Sequence, residues 1–172
     1  MIRGIIKTVA EGLIKRFSAT GRADETIDNR EYFQHYGFTS RPLGGAEAII
    51  IKEGNHIIMI ASDDRRYRLR IEEGEAALYD DLEQKVYLTR NGIVASSPIK
   101  ITAEAPEVDI IASTKVMMIT PLLEVTGNIV SGADITAAGN ISDMGGTKSM
   151  SGMREVYDEH KHGDSDVPDR EM

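Results

Sequence analysis

The sequence contains no cysteine and no tryptophan. Without cysteine there is no disulfide scaffold, no thiolate metal site and no thiol nucleophile. No apolar run reaches the roughly 18 residues that a membrane-spanning helix needs. Basic residues are also short: 20 Lys and Arg stand against 28 Asp and Glu, a net charge of −8. That balance argues against general nucleic-acid binding, which needs a basic surface. Aromatic residues are only 5% of the 172. A compact domain of this length usually buries several large rings, so their scarcity points to a thin or elongated object. What is present, 41% hydrophobic and 28% charged residues, is the composition of a folded chain and not of a disordered one.

The few rings are unevenly placed. Eight of the nine lie between Phe17 and Tyr87, and only Tyr157 follows. This marks a boundary near residue 90 between parts built by different rules. In residues 1–20, Ile2, Ile5, Ile6, Val9, Leu13, Ile14 and Phe17 recur at spacings of three and four, with Arg3, Lys7, Lys15 and Arg16 on the polar side. The spacing predicts an amphipathic helix. Docking on protein is the common fate of such a helix; a membrane-surface role is the alternative. Residues 21–31 are polar and aperiodic and read as a linker. Short β runs follow at 48–52, 56–61, 65–71, 75–79 and 85–89, with turn signals at Glu53-Gly54-Asn55, Asp80-Asp81 and Asn91-Gly92. Strands this short and close predict a small barrel or sandwich.

Past residue 92 the pattern becomes regular. Ile99, Ile101, Ala103 and Ala105 fall on odd positions; Val108, Ile110, Ala112, Val116 and Met118 follow on even ones after Pro106. Leu123 and Val125 return to odd after Pro121, and Gly127, Gly132 and Gly139 then separate short runs. Strand faces alternate with period two, so each Pro or Gly is expected to mark a corner. A single-chain β-helix would need three or more rungs of roughly 20 residues with larger core residues. An ordinary sandwich should show hairpin turns and rings. Three intertwined chains need only one thin apolar row from each, and the small and β-branched residues suit that best.

The tail offers one chemical feature, His160-Lys161-His162. In an extended segment residues two apart share a side, so both imidazoles can face one point. Alone, such a pair near a terminus is usually solvated. In a trimer, three pairs give six nitrogens, which suit octahedral iron or nickel better than tetrahedral zinc. His35 and His56 read as ordinary surface or packing residues. Asp63-Asp64 and Asp80-Asp81 sit at turn positions, where Asp is common for backbone reasons. No catalytic triad, phosphate loop or calcium loop is legible.

Residues 36–47 (YGFTSRPLGGAE), 64–68 (DRRYR), 74–93 (GEAALYDDLEQKVYLTRNGI) and 160–164 (HKHGD) together resemble the Mu-like phage baseplate assembly protein V family, the central spikes of contractile tails. The resemblance covers about residues 30–172. It implies an all-β homotrimer: an OB-like barrel fastened to the baseplate hub, an intertwined triple-stranded β-helix as shaft, and a pointed apex. There His160 and His162 would bind iron, one per trimer with six His ligands. Calcium and chloride are implied on the axis without assignable residues. The implied role is structural and non-enzymatic, puncturing the host outer membrane on sheath contraction, in the virion tail baseplate after assembly in the host cytoplasm. No nucleic-acid partner is implied.

The expected organisation is therefore an amphipathic helix at 1–22, a barrel at 23–92, a shaft at 93–144 and an apex at 145–172. Family members carry strands before the YGF segment, so the barrel is expected either to be incomplete or to use the helix in their place. The alternatives are a tail-associated β-helical glycan hydrolase, which needs two carboxylates roughly 5–10 Å apart, and a carbohydrate-binding adhesin, which needs exposed rings that the shaft lacks.

Overall fold

The chain starts directly with a strand. The computed structural model describes residues 1–23, 25–161 and 163, and divides into two units, Met1–Val108 and Asp109–Met172. In the first unit, β1 (Ile2–Ala10), β2 (Arg16–Thr20), β3 (Thr26–Tyr32), β4 (Glu47–Glu53) and β5 (His56–Asp63) close a barrel in the order β1-β2-β3-β5-β4. β4 pairs antiparallel with β1, and β3 runs parallel to β5.

The helix expected over residues 1–20 is not there, for a definable reason. Ile2, Gly4 and Ile6 point inward with period two. The register against β2 then slips between Ile6 and Thr8. This bulge shifts the buried side to Val9. Gly4 adds no side chain to the pattern, so the visible inward residues are 2, 6 and 9, which imitate helical spacing. Three members of the supposed stripe are not buried, Ile5 and Ile14 being exposed and Leu13 fully so, while Phe17 is buried as part of β2. Gly4 itself is demanded by packing, because a Cβ there would lie 2.6 Å from the Thr20 carbonyl oxygen.

The expected polar linker at 21–31 is also corrected, since β3 occupies most of it. Its inward residues are only Ile27 and Tyr32. Asn29 takes a left-handed φ of 52°, and the pairing with β2 slips opposite it. Two buried residues five apart leave no alternation to read. The barrel is thus complete and uses the N-terminal residues as its first strands. Phe17, Ile6, Ile27, Ile50 and Met59 are its fully buried centre, each contributing about 1.5–3 kcal/mol on burial. Tyr32 keeps its ring inside while its hydroxyl lies 2.7 Å from Ser62 Oγ.

The expected strand at 65–71 is a loop. Asp64 accepts hydrogen bonds from the Arg66 amide (3.1 Å) and guanidinium (2.8 and 2.6 Å), which folds the chain back on itself. Next comes an antiparallel meander of β6 (Ala76–Tyr79), β7 (Lys85–Thr89) and β8 (Gly92–Ser96). Asp80 accepts from the Leu82 and Gln84 amides at 2.9 and 3.0 Å, so it is a turn residue, as its position suggested.

From residue 97 to 141 the chain has no paired strand. In the first unit it bends at 98–99 and 106; in the second, at 113–114, 121, 126–127, 132–133 and 138–139. Pro106, Pro121, Gly127, Gly132 and Gly139 all sit at bends, as corner residues should. The last bends come every six residues, matching a repeat in the sequence: Asn128-Ile129, Asp134-Ile135 and Asn140-Ile141. Thr120 and Ser131 each receive an amide two residues on at 3.3 Å, bracing two of the corners. The apolar side chains here are exposed, from Ile99 at 71% to Ile135 at 66%.

The second unit ends in a small motif. β9 (Ser142–Asp143) pairs with β10 (Lys148–Ser149) around a single 3-10 turn, Met144–Gly146, and α1 (Met150–Glu159) follows. Ser149 caps α1 by accepting from the Gly152 amide at 3.1 Å. Asn140 ties the helix start down, donating to Ser151 Oγ at 2.6 Å.

Candidate functional site

The barrel gathers two of the sequence motifs. Lys15, expected on the polar side of a helix, instead reaches the loop at 33–43, with its side chain 11% exposed. Its ammonium donates to Gln34 Oε1 (2.9 Å), Thr39 Oγ1 (2.7 Å) and the Ser40 carbonyl (2.8 Å), with Glu11 Oε1 at 3.0 Å. Arg41 donates to the Val9 carbonyl at 3.0 Å. Arg66 bridges the two motifs by donating to both Asp64 and the Gly44 carbonyl, the latter at 3.1 Å. A side chain at Gly45, where φ is 95°, would press on that guanidinium. The Arg66 hydrogen bonds hold the Asp64 carboxyl below its ordinary range. A donor from Arg3 does the same for Glu47. Tyr36 and Phe38 stand exposed on the loop that this network fixes.

The 74–93 motif forms the meander. Glu75 accepts from the Tyr87 hydroxyl and from the Glu72 and Arg90 amides, both at 3.0 Å. The Tyr87 hydroxyl, first among these, lowers the Glu75 carboxyl from its ordinary value, and the carboxylate raises Tyr87 in return. Gly74, at φ 78°, leaves room for Arg90, whose guanidinium would lie 2.0 Å from a Cβ there.

At the C-terminus, His160 directly follows α1 with extended backbone, φ −72° and ψ 145°. His162 lies outside the described residues, so the geometry of the pair does too. The Nδ1 of His160 is 2.5 Å from the Tyr157 carbonyl oxygen, and its ring lies 5.3 Å from the Tyr157 ring. A carbonyl can only accept, so Nδ1 carries the proton. In the neutral ring the lone pair then sits on Nε2. Metal-ligating histidines commonly use this arrangement. Among the described residues, no three His, Asp or Glu side chains of one chain gather into a metal-binding group. His35 and His56 are exposed on the barrel. The residues missed by sequence reasoning are Lys15 and α1. The stripe of Met150, Met153, Val156 and Tyr157 after the Ser149 cap was the available signal for the helix.

Residues 3–66 match the family described as Bacteriophage Mu Gp45, N-terminal. The match begins in β1 and ends just past β5, so it coincides with the barrel. The likeness to that family's N-terminal domain thus falls on the closed barrel. It is also 30% identical, over 111 residues, to the baseplate puncturing device gp45 of Escherichia phage Mu. That alignment covers 60% of this chain and 56% of the relative, so the chain spans little more than half of that protein's length. The similarity therefore starts well before residue 30, in strands that had read as a departure from the family. The matched region includes the strands that close the barrel.

Proposed function

We propose that this chain is the structural central spike of a contractile phage tail, attached to the baseplate hub by its barrel and driven through the host outer membrane when the sheath contracts. It works as a homotrimer whose 97–141 segments wind around one axis. One observation carries the reading: a barrel similar to the Mu Gp45 N-terminal domain is followed by 45 residues that bend at regular intervals, join no sheet among the described residues and expose their apolar side chains. Unpaired extended backbone is a template for pairing with another chain, and uncovered apolar rows are costly in water. Two further copies supply partners for both, with each chain giving one face of a prism.

Such a tip must resist bending and fraying. Interwinding ties each chain to two others, so no end can peel away alone. At the apex, His160 with its Nε2 lone pair, joined by His162, would hold iron, six imidazoles from three chains closing its coordination sphere. A closed sphere leaves no position for substrate, so the metal would act as a structural pin and not as a catalyst. Light scattering on the purified full chain tests the reading. It should give three times the chain mass, stable to dilution; a stable, folded monomer would end it.

A further inference from the structure

The meander β6–β8 is inverted in its own chain. Register places Ala76 opposite Leu88 and Leu78 opposite Val86, and then Leu88 opposite Ile93 and Val86 opposite Ala95. Directly opposed residues share a face, so these six build one wholly apolar face across three strands. All six are exposed, with Leu78 at 63% and Ile93 at 73%. On the other face Lys85, Tyr87 and Thr89 are half-buried. A two-faced antiparallel sheet normally does the reverse, covering its apolar side and wetting its polar one.

We propose that this face is an interface between copies of the chain, a collar in which three meanders pack around the axis ahead of the shaft. The inference rests on the trimer reading above and extends it to residues outside the shaft. A second copy is the occupant for two reasons. The first is continuity along the chain: β8, which carries Ile93 and Ala95 on this face, leads directly into the 97–141 segment whose apolar side chains are also uncovered. The second is symmetry. Rotation about an axis along the shaft brings the same face of each copy to the same height, so apolar meets apolar without a second sequence having to match it. Both outer edges, of β6 and of β8, are unpaired in the described chain, leaving neighbouring meanders room to approach.

The absence of native cysteine gives a clean test. Single thiols are introduced into the full chain as Leu88→Cys and Ala95→Cys on the face and Asp81→Cys at the exposed β6–β7 turn. Each variant is sized and then labelled with a maleimide. Thiol labelling follows exposure. In the trimer, the two face thiols should react about tenfold or more slowly than the Asp81→Cys thiol, and the difference should vanish in denaturant. Loss of the trimer in Leu88→Cys alone, with Asp81→Cys still trimeric, would support the same conclusion. Face thiols that label as fast as the turn thiol in an intact trimer would overturn the collar and leave the trimer standing. Face thiols protected only in assembled particles would overturn it too, by assigning the face to another protein. A monomeric parent would remove the trimer reading itself.

Discussion

The six-residue repeat allows a contrast between two neighbouring kinds of position. Residues 129, 135 and 141 are Ile in every repeat, whereas 130, 136 and 142 are Val, Thr and Ser. Adjacent residues of a strand face opposite ways, so in an intertwined shaft the Ile row faces the axis and the mixed row faces water. In the single chain both rows are exposed, Ile135 at 66% and Val130 at 92%. In a monomer, then, Ile135→Ala and Val130→Ala would each cost under about 0.5 kcal/mol, as exposed substitutions do. In the proposed trimer Ile135 would be buried, and truncating a buried Ile to Ala costs about 2–5 kcal/mol. The substitution occurs three times per assembly, giving about 6–15 kcal/mol. At 1.4 kcal/mol per decade this weakens association by about 10⁴-fold or more. Guanidinium dissociation followed by light scattering reads this directly. Ile135→Ala should lower the midpoint strongly and Val130→Ala hardly at all. Equal effects, or none from Ile135→Ala, would refute the axial row.

Replacing Gly4 with Ala should destabilise the barrel by about 1–3 kcal/mol, seen as a lower thermal midpoint, because the new Cβ meets the Thr20 backbone oxygen. Glu75 and Tyr87 share one hydrogen bond with opposite consequences. The Glu75 carboxyl lies below 4.5 in the fold, so its contribution is present above that value and lost as pH falls through the folded one. Tyr87 lies above 10.0, so its contribution is present below that value and lost as pH rises through the folded one. Glu75→Gln should flatten both limbs of the stability–pH curve and return the Tyr87 phenol, followed by ultraviolet absorbance, to the ordinary range. Elemental analysis of the full chain should find one iron per three chains. It should find none in the His160→Ala/His162→Ala variant, which should stay trimeric.

What the sequence made legible divides by how plainly each strand's residues stand out. β4 and β5 carry continuous Ile-rich runs around a Glu53-Gly54-Asn55 turn, which show through the register slip between Ile49 and Ile50, and β6 and β7 are set off by Asp80; all four were readable within a residue or two. β1 and β3 were not, because a bulge at Lys7 and the left-handed Asn29 each break the alternation on which the reading depends. Gly4 compounds this by taking an inward position without a hydrophobic side chain. The Pro and Gly corners of the shaft were legible because those residues act locally. Ser113-Thr114 bends without either and gave no signal. Helix α1 is short, has Gly152 in its first turn and follows a glycine-rich turn, so its apolar stripe was lost in the tail. The His pair could be seen as a spacing, but the ligand set proposed for it would be shared among chains and would have no signature within one chain beyond its own two members.

The same limit explains the features that look wrong when one chain is considered alone. The meander wets its apolar face, the 97–141 segment joins no sheet among the described residues, and α1 exposes Met153 and Val156. A chain that folded only onto itself would have to bury each of these separately, with three different devices. Rotation about a single axis addresses the first two at once, since it sets every apolar row against its own copies at matching height. The barrel alone follows the ordinary rule, with its large residues inside. It is also the part that matches the Mu Gp45 domain and closes without help. A body that is complete in one chain, followed by segments that this chain leaves uncovered among the described residues, is what the proposed trimeric spike requires. A narrow tip has no width for a core of its own, and its stiffness must come from neighbouring copies.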